Sequence, residues 1–217
     1  MDESLARYAR VLTRASAAES YSTKYERIWH KRLSDRRERA VIARAIALAG
    51  PPFEGILDAP SGAGRLCPEL VPHGGPITAL DYSPEQLAIG RGRSPVPLRS
   101  IRGNILALPF RAGSFELVFS ARISHHIGSE SDREAWLREL MRVSSRAVVA
   151  TVFDRESLKN RLRELRRRLG SGKRSKFTMS LSRVRELAAG AGFELVAAPA
   201  IAPLLSGHRY LVLSRTR

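Results

Sequence analysis

ILDAPSGAGRLCPELVPHGGPITALD, residues Ile56 to Asp81, is the stretch on which the fold turns. An apolar run ends in Asp58, and a loop with two glycines, Gly62 and Gly64, follows. A short apolar helical segment leads into a second apolar run that ends in another acid, Asp81. This is a β–loop–α–β unit with a carboxylate at each strand end, the layout of a nucleoside-binding crevice.

Working outward, Phe53–Ala59 reads as strand one and Pro76–Tyr82 as strand two. Ser83, Pro84 and Gln86 supply an N-cap, a proline at the first helical position and an S-x-x-Q capping box. Residues 96–103 form a poor third strand interrupted by Pro97, and Phe115–Ser120 a fourth. Glu130–Val143 is an amphipathic helix with Trp136, Leu137 and Leu140 inward, and Ala147–Phe153 a β-branched fifth strand. Ser180–Ala191 is a further helix closed by Gly190 and Gly192, and Phe193–Ala198 and Arg209–Ser214 are the last strands. Strands alternating with helices predict a mainly parallel sheet covered on both faces. Upstream, Leu5, Tyr8, Val11, Leu12 and Ala15 recur at helical spacing, and the pair Asp35 and Glu38 is placed to open a second helix running to Ala49. Gly50 and Pro51–Pro52 end it. The chain thus divides into an N-terminal helical segment, residues 1–50, and an α/β domain, residues 51–217.

The 217 residues are 43% hydrophobic, enough for one proper core, with no uncharged run long enough to cross a bilayer. The start, MDESLARYAR, has early acids and no apolar stretch, so it does not read as a secretory signal. One cysteine, Cys67, excludes an internal disulfide and a multi-cysteine zinc site, and reads as a buried small hydrophobe. No metal is expected. A cytoplasmic protein is the simplest reading. The net charge of +16 is local: Arg155–Arg185 holds 12 Lys and Arg against two acids, whereas residues 59–154 hold 11 basic and 9 acidic groups. A field this concentrated points to one anionic partner surface.

Asp81, at the end of strand two, suits a ribose diol, because a carboxylate accepts from both hydroxyls. A dinucleotide site would add a third glycine where this chain has Cys67. Asp58 ahead of the loop would repel a pyrophosphate and favours a cationic ligand part, such as an amino group or its water shell. Here the chain resembles the class I S-adenosylmethionine-dependent methyltransferases, of the type 11/25-like domain. The resemblance rests on LDAPSGAGR, ALDYSPEQL, GNILALPFRAGSFELVFS and ARISHHI, in that order, and covers roughly residues 53–153. Pro60 departs from the family's first loop glycine, and Asn104 stands where an acid commonly meets the adenine amino group.

The resemblance implies a Rossmann-like seven-stranded mixed sheet, order 3-2-1-4-5-7-6 with strand seven antiparallel, and S-adenosylmethionine as methyl donor, leaving S-adenosylhomocysteine. It implies that Asp58, Ser61, Gly62 and Gly64 surround the methionine moiety, with Arg65 a further candidate beside them. Asp81 would hold the ribose, Tyr82 would lie beside the adenine, Asn104 and Ile105 would contact the adenine ring, and Arg122 would line the methionine end. Related enzymes often close an N-terminal segment over the cofactor, which makes Tyr21 and Tyr25 candidates for the lid and the acceptor; packing against the sheet edge is the alternative.

Methyl transfer from a sulfonium is an in-line displacement, so positioning dominates. An oxygen or nitrogen nucleophile also needs a base, and His125 and His126, after strand four, are the candidates. His30 and His208 read as structural or surface residues. After strand five, Leu158, Leu162, Leu165 and Leu169 form one helical stripe with a nearly solid Lys/Arg face opposite. This basic insert, about residues 155–179, has three functional readings beside a plain one, a solvated face with the leucines in the core. It can clamp an anionic acceptor through residues such as Arg166, Arg167 and Arg168, dock on an anionic membrane surface through residues 155–176, or bind nucleic-acid backbone. Only Phe177 is at hand for base stacking, which disfavours nucleic acid. The favoured acceptor is small or lipid-linked and anionic. Methylation of RNA, or a non-catalytic nucleotide- or RNA-binding module on the same fold, is the alternative.

Overall fold

The computed structural model describes residues 29–168, 170, 177–202 and 206–216, and all their side chains but those of residues 29–33, 163, 164, 167 and 168. A helix, α1 (Trp29–Leu48), leads into β1 (Ile56–Asp58), α2 (Cys67–Leu70), β2 (Ile77–Asp81), α3 (Pro84–Arg93), β3 (Leu98–Arg102) and β4 (Phe115–Ser120). Then come α4 (Glu130–Val143), β5 (Ser144–Phe153), α5 (Leu158–Arg168), α6 (Leu181–Gly190), β6 (Phe193–Ala197) and β7 (His208–Arg215). The seven strands form one sheet in the order β3-β2-β1-β4-β5-β7-β6. The pairs among β1 to β5 are parallel, and β7 runs antiparallel to both β5 and β6. The sheet is the Rossmann-like mixed sheet implied by the resemblance.

Strand alternation splits the core into two layers. Leu57, Val118, Val148, Ala150, Val152, Leu211 and Leu213 face one side, where Trp136, Leu137 and Leu140 of α4 and Val184 and Ala188 of α6 cover them. Ile56, Leu117, Phe119, Ala147, Val149, Tyr210 and Val212 face the other, under Ile42, Ala45 and Ile46 of α1 and Cys67 and Leu70 of α2. The described part of α1 is therefore one of the helices that cover the sheet.

Where local signals are strong, the elements start where the sequence predicts. Ser129 caps α4 by accepting the Asp132 amide (3.3 Å), and Ser180 caps α6 by accepting the Arg183 amide (3.3 Å). Ser83 accepts the Gln86 amide (3.2 Å), but the capping box is only half formed, because the Ser83 amide donates instead to Asp81 Oδ1 (2.9 Å). The pair Asp35 and Glu38 does not open a helix. Both lie inside α1, and their carboxylates reach across to arginines on other elements. Leu158, Leu162 and Leu165 stand exposed on the surface.

β1 lies between β2 and β4 and is parallel to both, so the strand order reverses there. The crevice outside the carboxyl ends of these strands is where an open α/β sheet admits a ligand. Trp136 holds the floor under β4: it is fully buried, and its Nε1 donates to Ser120 Oγ (3.3 Å) at the end of the strand. Trp136→Ala is expected to cost about 3–5 kcal/mol, read as a lowered midpoint in urea unfolding.

Candidate functional site

Asp58 and Asp81 end neighbouring strands at the crevice, and both are buried. Asp81 is well supplied with donors: Gly62 N reaches Oδ2 (2.8 Å) and Ser83 N reaches Oδ1 (2.9 Å). Burial pushes its carboxyl above the usual range, and these amides pull part of the way back. Asp58 has no side-chain hydrogen bond or ion pair among the described residues. Burial, and then the charge of Asp81, push it up to about 8. An uncompensated buried acid beside a second acid makes this end of the crevice a receptor for positive charge.

The loop between them is tied down by its backbone. Ser61 N donates to Leu80 O (2.9 Å), and Gly64 N to Ser61 O (3.1 Å). Gly62 and Gly64 both lie in the left-handed region, at φ +53° and +70°. Gly64 has a second duty that the sequence reading did not give it. A Cβ there would stand 3.1 Å from the Gly90 Cα, so the bare backbone lets α3 pack against the loop. Gln86, on α3, is buried, and its Nε2 has no hydrogen-bond partner among the described residues.

Tyr82 is exposed, with the Arg102 guanidinium 5.4 Å from its ring centre, and Ile105 is buried. Asn104 Oδ1 accepts the Leu106 amide (3.0 Å), which leaves one lone pair for any further donor. Tyr21 and Tyr25 lie outside the described residues. Arg166 is exposed on α5, and the side chains of Arg167 and Arg168 are outside the description.

Arg65 and Arg122 converge on a residue that the sequence reading did not single out as functional. Glu38, 0% exposed, accepts from Arg122 Nε (2.8 Å) and Tyr210 Oη (3.0 Å) on Oε1, and from Arg122 Nη2 (2.7 Å) and Arg65 Nη2 (2.9 Å) on Oε2. Burial alone would raise its carboxyl; the hydrogen bond and charge of Arg122, then the charges of Arg65 and His208, outweigh that and hold it at about 2. The network widens through Asp35, which pairs with Arg65 and with Arg39 Nε (2.7 Å), and through Arg39 Nη1 to Glu69 (2.6 Å). Arg122 takes a left-handed φ of +62°, costing a non-glycine residue roughly 1–2 kcal/mol. Its amide is held by Thr151 Oγ1 (2.6 Å). Backbone strain at the mouth of a crevice is a signature of a functional position. A signal for Glu38 did exist: it falls on the same helical stripe as Ile42, Ala45, Ile46 and Ala49, where an acid needs a buried partner.

Beyond β4, a short 3₁₀ turn, Ser124–His126, carries the two histidines. Ser124 Oγ donates to Thr151 O (2.7 Å), which pins the turn to β5. The rings of His125 and His126 are 4.0 Å apart, and His125 lies edge-on to Phe153 at 4.9 Å. Phe153 in turn stacks on His208 at 4.7 Å. His208 is buried, and its ring lies 6.0 Å from that of Tyr210, so it belongs to this wall and not to the surface. Strand order places it there: only when β7 runs antiparallel beside β5 does its first residue meet the last residue of β5. Among the described residues, no group of three His, Cys, Asp or Glu side chains is arranged to hold a metal ion.

Residues 57–150 match the family profile described as a methyltransferase domain. Over those residues the chain is similar to methyltransferase domains, and its sheet order is that of the Rossmann-like methyltransferase fold. A curated protein of Encephalitozoon cuniculi (strain GB-M1), named Putative methyltransferase ECU09_1500, is 36% identical over 88 residues, 41% of this chain. The match spans 39% of that relative's length. Among solved structures, the fold is similar to that of magnesium protoporphyrin IX methyltransferase from Synechocystis PCC 6803 with bound SAH, with a TM-score of 0.70 and 15% identity over 87% of this chain and 88% of that one. It is also similar to human N-acetylserotonin methyltransferase in complex with SAM, with a TM-score of 0.67 and 14% identity over 97% of this chain and 59% of that one. At these identities the likeness to solved structures is one of fold.

Glu38 carries the site's first prediction. Glu38→Gln keeps the shape and removes the charge, leaving two buried-side guanidiniums short of an anion, and is expected to cost about 3–5 kcal/mol. Because the folded carboxyl titrates at about 2, below its ordinary value of 4.5, its stabilisation is complete above pH 4.5 and lost as the pH falls towards 2. Urea unfolding across acid pH should show this slope in the native chain and lose it in the variant.

Proposed function

We propose that this chain transfers the methyl group of S-adenosylmethionine to an oxygen, nitrogen or carbon atom of a small or lipid-linked anionic acceptor. The observation that supports the donor is Asp58: a buried carboxyl with no partner among the described residues, at the end of β1, is stable as an anion only when a cation arrives. S-adenosylmethionine, when bound, supplies an electrophilic methyl on a sulfonium, together with an ammonium group. Asp58 would face the positive end of the ligand. Beyond the Gly62 and Ser83 amides, with the Tyr82 amide a weaker third donor, the Asp81 carboxylate has acceptor capacity left to meet a ribose hydroxyl. Ile105 offers an apolar wall and Asn104 Oδ1 one remaining lone pair for the adenine side. The orphaned Gln86 Nε2 behind the loop is a spare donor close to Gly62.

On the acceptor side, His125 and His126 stand on the turn after β4 and are only partly buried, so an acceptor hydroxyl or amine can reach them. A neutral imidazole there would take the acceptor's proton as its nucleophile attacks the methyl carbon. Anionic acceptors are favoured by the charge of the segment after β5, with 12 Lys and Arg against two acids over Arg155–Arg185.

Calorimetry with S-adenosylmethionine and S-adenosylhomocysteine tests the donor; no binding at millimolar ligand would sink the reading. Asp81→Ala should weaken both by roughly a hundredfold, the loss of a charged hydrogen bond; unchanged affinity would remove the ribose assignment. A pH test isolates Asp58. The free carboxyl holds its proton up to about pH 8, whereas a bound cation would favour the ionised form. S-adenosylmethionine affinity should therefore rise with pH up to about 8 and then level off, with proton release seen as a buffer-dependent binding enthalpy. Asp58→Asn should abolish this coupling.

A further inference from the structure

The helix α5 faces the wrong way for a core helix. The insert that contains it leaves the sheet at Asp154 and returns at Met179, where Met179 N donates to Phe153 O (3.0 Å) and Arg155 N to Met179 O (3.0 Å). Its inner side is set by Asn160, 7% exposed, whose Nδ2 donates to Asp154 O (2.7 Å). Gly207 lies so close to that amide that a Cβ would stand 2.4 Å from it. At 100° per residue, Asn160 is about 200° round the helix from Leu158. The stripe of Leu158, Leu162 and Leu165 therefore points away from the body of the protein, and these residues are 56%, 45% and 54% exposed. Lys159, Arg161 and Arg166, all exposed, flank it.

An outward apolar stripe between cationic flanks matches the boundary of an anionic bilayer. The leucines can enter the headgroup–acyl boundary while the flanking charges meet lipid phosphates. A nucleic-acid backbone would use the charges and leave three leucines in water. A second copy of the chain would cover the leucines but bring two basic flanks together. We infer that α5 docks this protein reversibly on an anionic lipid surface. The reading is independent of methyl transfer, yet it has a consequence for it. Phe153, five residues before the first leucine, is a ring neighbour of both His125 and His208. Docking through α5 would bring the histidine wall close to the lipid phase.

The test is co-sedimentation of the full chain with vesicles of phosphatidylcholine alone and of equimolar phosphatidylcholine and phosphatidylglycerol. Partition onto the mixed vesicles should be at least about tenfold stronger and should fall with added salt. The double substitution Leu162→Gln, Leu165→Gln should reduce it about tenfold, and Lys159→Glu with Arg161→Glu by a similar factor at low salt. Neither pair should move the urea midpoint or the affinity for S-adenosylhomocysteine, because these side chains are exposed. Equal partition onto both vesicles, or leucine variants that bind like the native chain, would overturn the inference. So would binding to duplex RNA without vesicle binding, or leucine variants that only turn a dimer into a monomer in analytical centrifugation.

Discussion

Glu38 is an anion held where water cannot reach it, and four separate parts of the chain are arranged around that fact. Its own helix, α1, supplies the charge; the loop after β1 supplies Arg65; the residue after β4 supplies Arg122; β7 supplies Tyr210. A buried carboxylate with one donor too few would be a heavy liability, so these elements are bound to one another's positions. The left-handed backbone at Arg122 makes sense in this light. Its strain is small beside the two-pronged grip of its guanidinium on Glu38, and the Thr151 hydroxyl fixes its amide from the other side. The loop that approaches the crevice and the strand end opposite it are thus set by a residue on a helix outside the β–loop–α–β unit.

Glu38 and Asp58 are both buried carboxylates and titrate in opposite directions, one held at about 2 and the other pushed up to about 8. Burial penalises both, so the difference lies in their partners. Among the described residues, the nearby cations pair with Glu38, and the charge that acts on Asp58 is that of another acid. A chain optimised for its own stability would not leave Asp58 in that state, and a ligand that brings positive charge resolves it. The same contrast gives different tasks to the cationic residues around the crevice: Arg65 and Arg122 position the walls, and among the described residues none supplies the positive charge that Asp58 lacks.

The sequence carried the sheet well because its signals were local. β4 and α4 begin and end where the sequence predicts them, α4 from its amphipathic pattern of Trp136, Leu137 and Leu140, and the acids ending β1 and β2 mark the crevice without any tertiary knowledge. Short-range rules failed where a distant partner redefined a residue. Asp35 and Glu38 have the spacing of a capping pair, but Arg65 and Arg122, 27 and 84 residues from Glu38, turn them into the centre of an ion network. Gly64 reads as room for a ligand until α3 brings Gly90 against it. His208 reads as structural or surface until the reversed β7 sets it against Phe153.

The leucine stripe of α5 shows most clearly what periodicity can and cannot decide. Spacing at i, i+4 and i+7 shows that an apolar face exists, but a helix attached at one end can turn that face in or out with no change in pattern. One polar contact settles it: Asn160, buried over Asp154 and close against Gly207, occupies the side a core helix would give to its leucines. Amide-to-carbonyl bonding holds the helix by its polar side, so the protein's own core gains nothing from the leucines. Three exposed leucines cost little in the folded state, because the unfolded chain exposes them too. What they cost is solubility, which the flanking lysine and arginines help to restore. Under the proposed docking, the charge that keeps this face in water also draws it to surfaces of opposite sign, so that a single stretch of sequence serves both states of the helix.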